Sequence, residues 1–428
     1  PGCALLEPIP LQKTPRPPVV ADKVDFTRRD AEVFLADVYA GPGLKGVPHG
    51  TIKSLRLVSY HFAYQGMGGE PDAPGLDGPW DVKRVLGTVP VREDGSARFR
   101  VPAYTPIGIQ ALDADGQAVQ LMRSWLTAMP GEVLSCVGCH EPQNTTPPVR
   151  RSLAATQPAD EIRPWHGPAR GFDFRREVQP VLDKWCVGCH DGQPRADGQS
   201  IPNLTDQPAR PMQDNQNAYN LASRFTPSYY ALRRLVRTPT RESDMRLPPP
   251  WEFHAGTTRL IQMLRQGHHG VTPDAEAWDR LITWIDLGAP AHGTWTDICG
   301  PDRVKHQAER RRAMRLRYTG MDDDPEAIIL PSPSRIVPVM PTEPSSLQVA
   351  LAKPAAAPKA HQPETLTIPL NDGLALEMIR IPAGEFIMGQ ADGQMDEQPP
   401  TPAKIEKDFW LGKFEISNEQ FAQFDPGH

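Results

Sequence analysis

Read as a string of apolar and polar positions, the chain changes its period along its length. From about residue 24 to residue 125 apolar and polar residues alternate in short runs, as in Leu55-Arg-Leu57 and Ala97-Arg-Phe-Arg-Val101. A period of two is that of strands with one buried face. Asp94-Gly95 and Asp115-Gly116 supply turns between them. From about residue 171 to 295 the period lengthens to that of helices. Val178, Val181, Leu182 and Trp185 share the face of one helix running into Cys186, and Leu260, Ile261 and Leu264 that of a second, which meets Gly267. A third carries Trp278, Leu281, Ile282 and Ile285, opens at Pro273, Asp274 and Glu276, and stops at Gly288 and Pro290.

The predicted fold class is therefore α+β and multidomain, because 428 residues exceed what one core can fill. An arm at residues 1–23 precedes a β-rich domain at 24–165 and a helical domain at 166–300. Residues 301–365 hold a basic helix-like run, expected as a solvated face, and a linker rich in proline and alanine. The strand-like Leu376-Glu-Met-Ile-Arg-Ile381 then begins an incomplete mixed domain at 366–428. A net charge of −6, with no Lys/Arg run that extends far, argues against nucleic acid as a partner. No apolar stretch approaches the roughly 20 residues that span a bilayer. The first residues are Pro-Gly-Cys rather than Met, so a processed product or a missing start is expected.

Chemistry enters with the cysteines. Four of the six stand in two identical motifs, Cys136-Val-Gly-Cys139-His140 and Cys186-Val-Gly-Cys189-His190. In CxxCH two thiols a turn apart reach the vinyl groups on one edge of a porphyrin, and the adjacent imidazole turns under the ring to the iron. Zinc held by the four thiolates is disfavoured, since 46 residues separate the two knuckles against a usual 15–20, and each His would be idle. A redox CxxC needs a βαβ setting that the pattern lacks. Two covalently bound haem c groups are the expected cofactors, through Cys136, Cys139 and His140 and through Cys186, Cys189 and His190. Such attachment is made outside the cytoplasm, so export to the periplasm or beyond is expected. Short helices around a covalent haem make the helical domain cytochrome c-like.

What fills the sixth position at each iron separates electron transfer from catalysis. Among His49, His61, His166, His254, His268, His269 and His292, His268 follows a helix end in the same domain as the second motif, and is the expected distal ligand there, with His269 as fallback. For the first haem, His61 shares a strand face with Leu55 and Leu57. Met67, flanked by glycines, competes with it, and an open, enzyme-like position is the third option. Cys3 and Cys299 are left over, and in an oxidising compartment a disulfide between them is expected. Cys3 is alternatively a lipid site or a metal ligand.

A family resemblance adds to this. Cys3-Ala-Leu-Leu-Glu-Pro-Ile-Pro10, Trp80-Asp-Val-Lys-Arg-Val-Leu-Gly-Thr-Val-Pro90, Met122-Arg-Ser-Trp125, Pro130-Gly-Glu132, Gly167-Pro-Ala-Arg-Gly-Phe-Asp173 and Trp284-Ile-Asp-Leu287 resemble the haem-bearing regions of hydrazine synthase alpha subunits and their cytochrome relatives. The resemblance runs over about residues 3–295. It implies one haem on a β-rich domain and a second with bis-histidine ligation, His268 falling near the distal position. In the family the first haem is catalytic and is associated with a Tyr just downstream of its motif. Glu141-Pro-Gln-Asn-Thr-Thr-Pro-Pro148 contains none, which favours an electron-transfer relative whose partners are redox proteins, other cytochromes or copies of itself. The alternatives are a haem enzyme acting on a small nitrogen or oxygen species and a structural subunit of a multi-haem assembly. Ile381-Pro-Ala-Gly-Glu-Phe386 and Phe409-Trp-Leu-Gly-Lys-Phe414 resemble the opening of formylglycine-generating enzyme domains. No cysteine follows Cys299, so no catalysis is expected of this tail, and the gene is expected to continue past His428.

Overall fold

A computed structural model describes residues 22–69, 72–122, 124–139, 152–193, 201–209, 225–239, 247–328, 336–339, 364–370, 373–388 and 401–423. The chain divides into two compact units, Pro1–Pro344 and Ser345–His428. The first holds both the strand-rich and the helix-rich regions, so these are not separate bodies.

In the first unit β1 (Asp30–Leu35) lies between β4 (Ala97–Pro102), antiparallel to it, and β7 (Val133–Cys136), parallel to it. A second sheet has the order β6 (Ala118–Leu121), β5 (Ile107–Leu112), β2 (Ser54–His61), β3 (Val82–Pro90) and β8 (Arg163–Pro164). The alternation in β1 buries Ala31, Val33 and Leu35, which meet Leu55 and Leu57 of β2, Phe99 and Val101 of β4 and Ile107 of β5 in one core. Both expected turns are present, with Gly95 and Gly116 at positive φ.

The opposite face of the second sheet is covered by helices. Val58 and Val85 join a core built from α1 (Phe174–Glu177), α2 (Gln179–Trp185), α3 (Pro227–Arg233), α4 (Arg259–Arg265) and α5 (Ala275–Asp286). The Asp274 carboxylate accepts the Ala277 N–H to cap α5, and Leu281, Ile282 and Ile285 are buried as their spacing predicts. Because this sheet is covered on both faces, Arg56 of β2 is enclosed as well. Its guanidinium donates to Asp286 at the end of α5 (3.1 Å), to Gln110 (2.9 Å) and to the Gly116 carbonyl (3.0 Å).

After α6 (Trp295–Cys299) comes α7 (Pro301–Thr319), the basic run expected as a solvated face. Most of it is exposed as expected, and one side is docked. Val304 is buried with Tyr64, Val82, Trp295 and Ile298, and Arg311 donates to the carbonyls of Phe62 (2.7 Å) and Ala63 (3.0 Å). Cys299 is half-buried beside that cluster, while Cys3, its expected disulfide partner, lies outside the described residues.

The second unit contains a sheet of order β13 (Phe409–Gly412), β10 (Ala375–Ile381) and β9 (Thr365–Pro369), and a hairpin of β11 (Gly384–Met388) with β12 (Thr401–Ile405). α8 (Asn418–Ala422) opens with a capping box between Ser417 and Gln420.

Candidate haem sites

The two motifs are presented differently. Cys136 ends β7, and the carbonyls of Cys136, Val137 and Cys139 accept N–H bonds from Ala36, Asp37 and Gly43. The first pair of thiols is thus held by a strand and its neighbouring loop. A Cβ on Gly138 would come within 2.2 Å of the Ala40 carbonyl oxygen, so only glycine permits this approach. Cys136, Gly138 and Cys139 border a cavity of about 300 Å³ whose walls include Val33, Leu55, Ile109, Leu126 and Met122. Burial pushes the Cys139 thiol up to about 12. His140 and the segment after it lie outside the described residues.

Neither expected sixth ligand borders that cavity. Leu55 does, but His61 stands six residues further along β2, about 20 Å at the rise of a strand. The shared strand face fixes direction, not reach. His61 lines a different cavity, its Nε2 3.3 Å from the Tyr64 hydroxyl and 3.3 Å from Glu326 Oε1. Met67 packs beside Tyr64 and Trp295. The soft donor that does line the cavity at Cys136 and Cys139 is Met122, which follows β6. Its sequence context carried no ligand signal, because only the folding of β6 against β5 brings it beside residues 136–139.

The second motif follows α2. Cys186 N donates to the Leu182 carbonyl, and the N–H groups of Cys189 (3.1 Å) and His190 (2.9 Å) both donate to the Cys186 carbonyl, so the helix tightens into a turn with both thiols on it. The Cys186 thiol is pushed up to about 12 by burial, then by Asp183 and Cys189. His190 Nδ1 lies 2.9 Å from the Pro202 carbonyl, which only accepts. In the neutral ring Nδ1 therefore carries the proton, and Nε2 presents its lone pair.

The face opposite His190 is made by the end of α4. Gly267, at φ +92°, terminates that helix, and the following turn, in which Val271 N donates to the His268 carbonyl, sets His268 in place. The ring centres of His190 and His268 are 6.0 Å apart with planes 25° from parallel. Two imidazoles on opposite sides of one metal, each nitrogen about 2 Å from it, have centres roughly 6 Å apart. His268 is drawn down to about 4, first by burial and then by His269 and His190, so it is a neutral donor near pH 7. His269 meets His268 edge-on at 4.6 Å. A groove of about 580 Å³ walled by Leu264, Val271, Trp278 and Ile282 runs beside this turn.

This donor set suits haem better than its competitors. Among the described residues no three His, Cys, Asp or Glu side chains converge. A redox CxxC lowers a thiol's pKa, whereas burial here raises two of them.

Comparison with known proteins covers part of the chain. Residues 50–141, from β2 to the first motif, match the hydrazine synthase alpha subunit middle domain. The chain is similar to hydrazine synthase alpha subunits. Hydrazine synthase subunit alpha of Kuenenia stuttgartiensis is 21% identical over 359 residues, which are 63% of this chain and 42% of that protein. The chain thus spans less than half the length of that relative. The solved Kuenenia stuttgartiensis hydrazine synthase aligns over 61% of this chain and 43% of its own, with a TM-score of 0.38 and 17% identity. Residues 367–426 match the sulfatase-modifying factor enzyme 1-like domain. Among the described residues no helix is long and apolar enough to cross a membrane.

Proposed function

We propose that the chain is an exported dihaem c-type cytochrome that passes electrons between its two haems and a redox partner protein. The observation carrying this reading is the pairing of His190 with His268, ring centres 6.0 Å apart, with His190 Nδ1 committed to Pro202. Bound haem supplies one-electron redox chemistry, and two strong axial ligands suit it to electron transfer rather than substrate binding. The chain's own part is to hold and tune. The Pro202 carbonyl fixes the tautomer of His190, Gly267 turns the chain so that His268 faces it, and Cys186 and Cys189 anchor the porphyrin edge. At the first motif, Cys136, Cys139 and His140 take the same roles, and Met122 is the side chain available to a sixth position. A Met ligand there would raise that haem's potential relative to a His-ligated one, which would favour electron flow from the second haem to the first. Haem attachment of this kind implies export, and the similarity to a subunit of hydrazine synthase supports a multi-protein partner.

The reading is tested by mass spectrometry and by a spin-state spectrum. Both motif peptides are expected to carry covalently bound haem, and His268→Ala is expected to turn one haem, and one only, high-spin. Unmodified Cys136 or Cys186, or an unchanged low-spin spectrum in the variant, counts against it.

A further inference from the structure

One amide, Gln120, stands among the largely apolar side chains that wall the cavity beside the first motif. It is 1% exposed, and its donors are spent. Nε2 donates to the carbonyls of Gly43 and Pro248, each at 2.9 Å, and Oε1 accepts the Leu121 N–H at 3.0 Å. Both amide hydrogens are thereby used, so Gln120 has none to give to a bound group. Its part is to hold backbone.

What it holds is the frame of that cavity. The Gly43 N–H donates to the Cys139 carbonyl (3.2 Å), so the loop that Gln120 grips also grips the second thiol of the motif. On β6, Val119 is an extra residue opposite the step from Ala111 to Leu112, and a bulge of this kind re-aims the side chains that follow it. Gln120 and Met122, two positions apart, both line the cavity after it. Pro248, the second acceptor, belongs to the segment in which the Trp251 N–H donates to the Val119 carbonyl (3.0 Å), so that segment braces β6 at two adjacent residues. One side chain therefore sets the spacing between the loop that holds Cys139 and the strand that leads to Met122. A ligand bonds only where its neighbours deliver it, and hydrogen-bonded supports of this sort are worth roughly 10- to 100-fold in affinity for the metal.

We propose that Gln120 is the positioning residue of the first haem site, holding Met122 within reach of the iron of the group attached through Cys136 and Cys139. The inference rests on the reading of Met122 as the sixth ligand there.

The test reads the far-red sulfur-to-iron charge-transfer band of the oxidised full chain with its prosthetic groups, and the concentration of added imidazole that displaces it. The parent protein is expected to show the band and Met122→Ala to lose it. Gln120→Leu, which removes both N–H groups, should yield the band at about tenfold lower imidazole or less and lower the first haem's potential, the second haem's staying as it was. Val119→Ala, at a buried position on the same strand, is the control, expected to lower the thermal midpoint and leave the displacement unchanged. No band in the parent, or a band that survives Met122→Ala, overturns the reading of Met122 and this inference with it. A band that Met122→Ala abolishes, but that Gln120→Leu yields at the parent's imidazole concentration, overturns the role of Gln120 alone, as does an equal change in Val119→Ala. Gln120→Asn, which keeps the amide but shortens its reach, carries the test by the same criterion if Gln120→Leu does not fold.

Discussion

His61 is where burial and charge act on one side chain together. Its pKa is pulled down to about 3, first by burial and then by the charges of Arg311, Arg84 and Arg315. The 3.3 Å contact to Glu326 is accordingly made by a neutral ring and is not an ion pair. The folded-state pKa lies below the ordinary 6.5, so above pH 6.5 neither the folded nor the unfolded ring is charged and the stability is fully present. As pH falls from 6.5 towards 3 the unfolded chain takes the proton first, and stability drops by up to about 1.4 kcal/mol per pH unit from this residue. Urea midpoints measured between pH 7 and pH 4 should therefore fall less steeply in His61→Asn than in the parent protein. Parallel pH profiles would show that His61 is not the group responsible.

At the scale of elements, the joint between the second sheet and α5 rests on a buried ion pair. Asp286 accepts from Arg56, from Ala118 N (2.9 Å) and from Ala255 N (2.9 Å), so one carboxylate ties β2, β6 and the segment before α4. Removing one partner of such a pair leaves a charge enclosed without compensation. Asp286→Ala is expected to cost about 3–5 kcal/mol in denaturant unfolding, with strand and helix signals lost in one transition. A loss under about 1 kcal/mol, or two separate transitions, would show the joint to lie elsewhere. The same pair marks where the sequence stops being legible. Elements with one buried face announced themselves: α5 through Asp274 and its apolar stripe, β4 through alternation, His268 through the helix stop at Gly267. Arg56 stands between two leucines and reads as solvent-facing. It is enclosed because helices distant in sequence cover that face, which no local period encodes. The placement of His61 and of Met122 was hidden in the same way, since a strand face gives direction while distance along the strand, and the register of β6 on β5, decide which cavity a side chain reaches. The docking of α7 was hidden because its arginines bond to backbone carbonyls, and carbonyls leave no trace in a residue pattern.

For the whole molecule, the division at Pro344 makes a testable statement about independence. A chain ending at Pro344 retains every residue of both motifs, His268 and the Arg56 to Asp286 joint. It is expected to keep the thermal midpoint of the first unit and, under the proposed function, the haem spectrum of the full chain. A fall of more than a few degrees would mean that the second unit supports the first. Within the first unit, the parallel ladder that seats the first motif also governs timing. It pairs Glu32 with Val133 and Leu35 with Cys136, residues separated by about a hundred positions, and contacts this distant form late because the intervening chain must be closed into a loop first. Until that closure the strand end bearing Cys136 and Cys139 hangs open to other macromolecules. Afterwards Cys139 is half-buried. Under the proposed function, so slow a topology would work as a clock, leaving an interval in which an attachment machinery could reach both thiols.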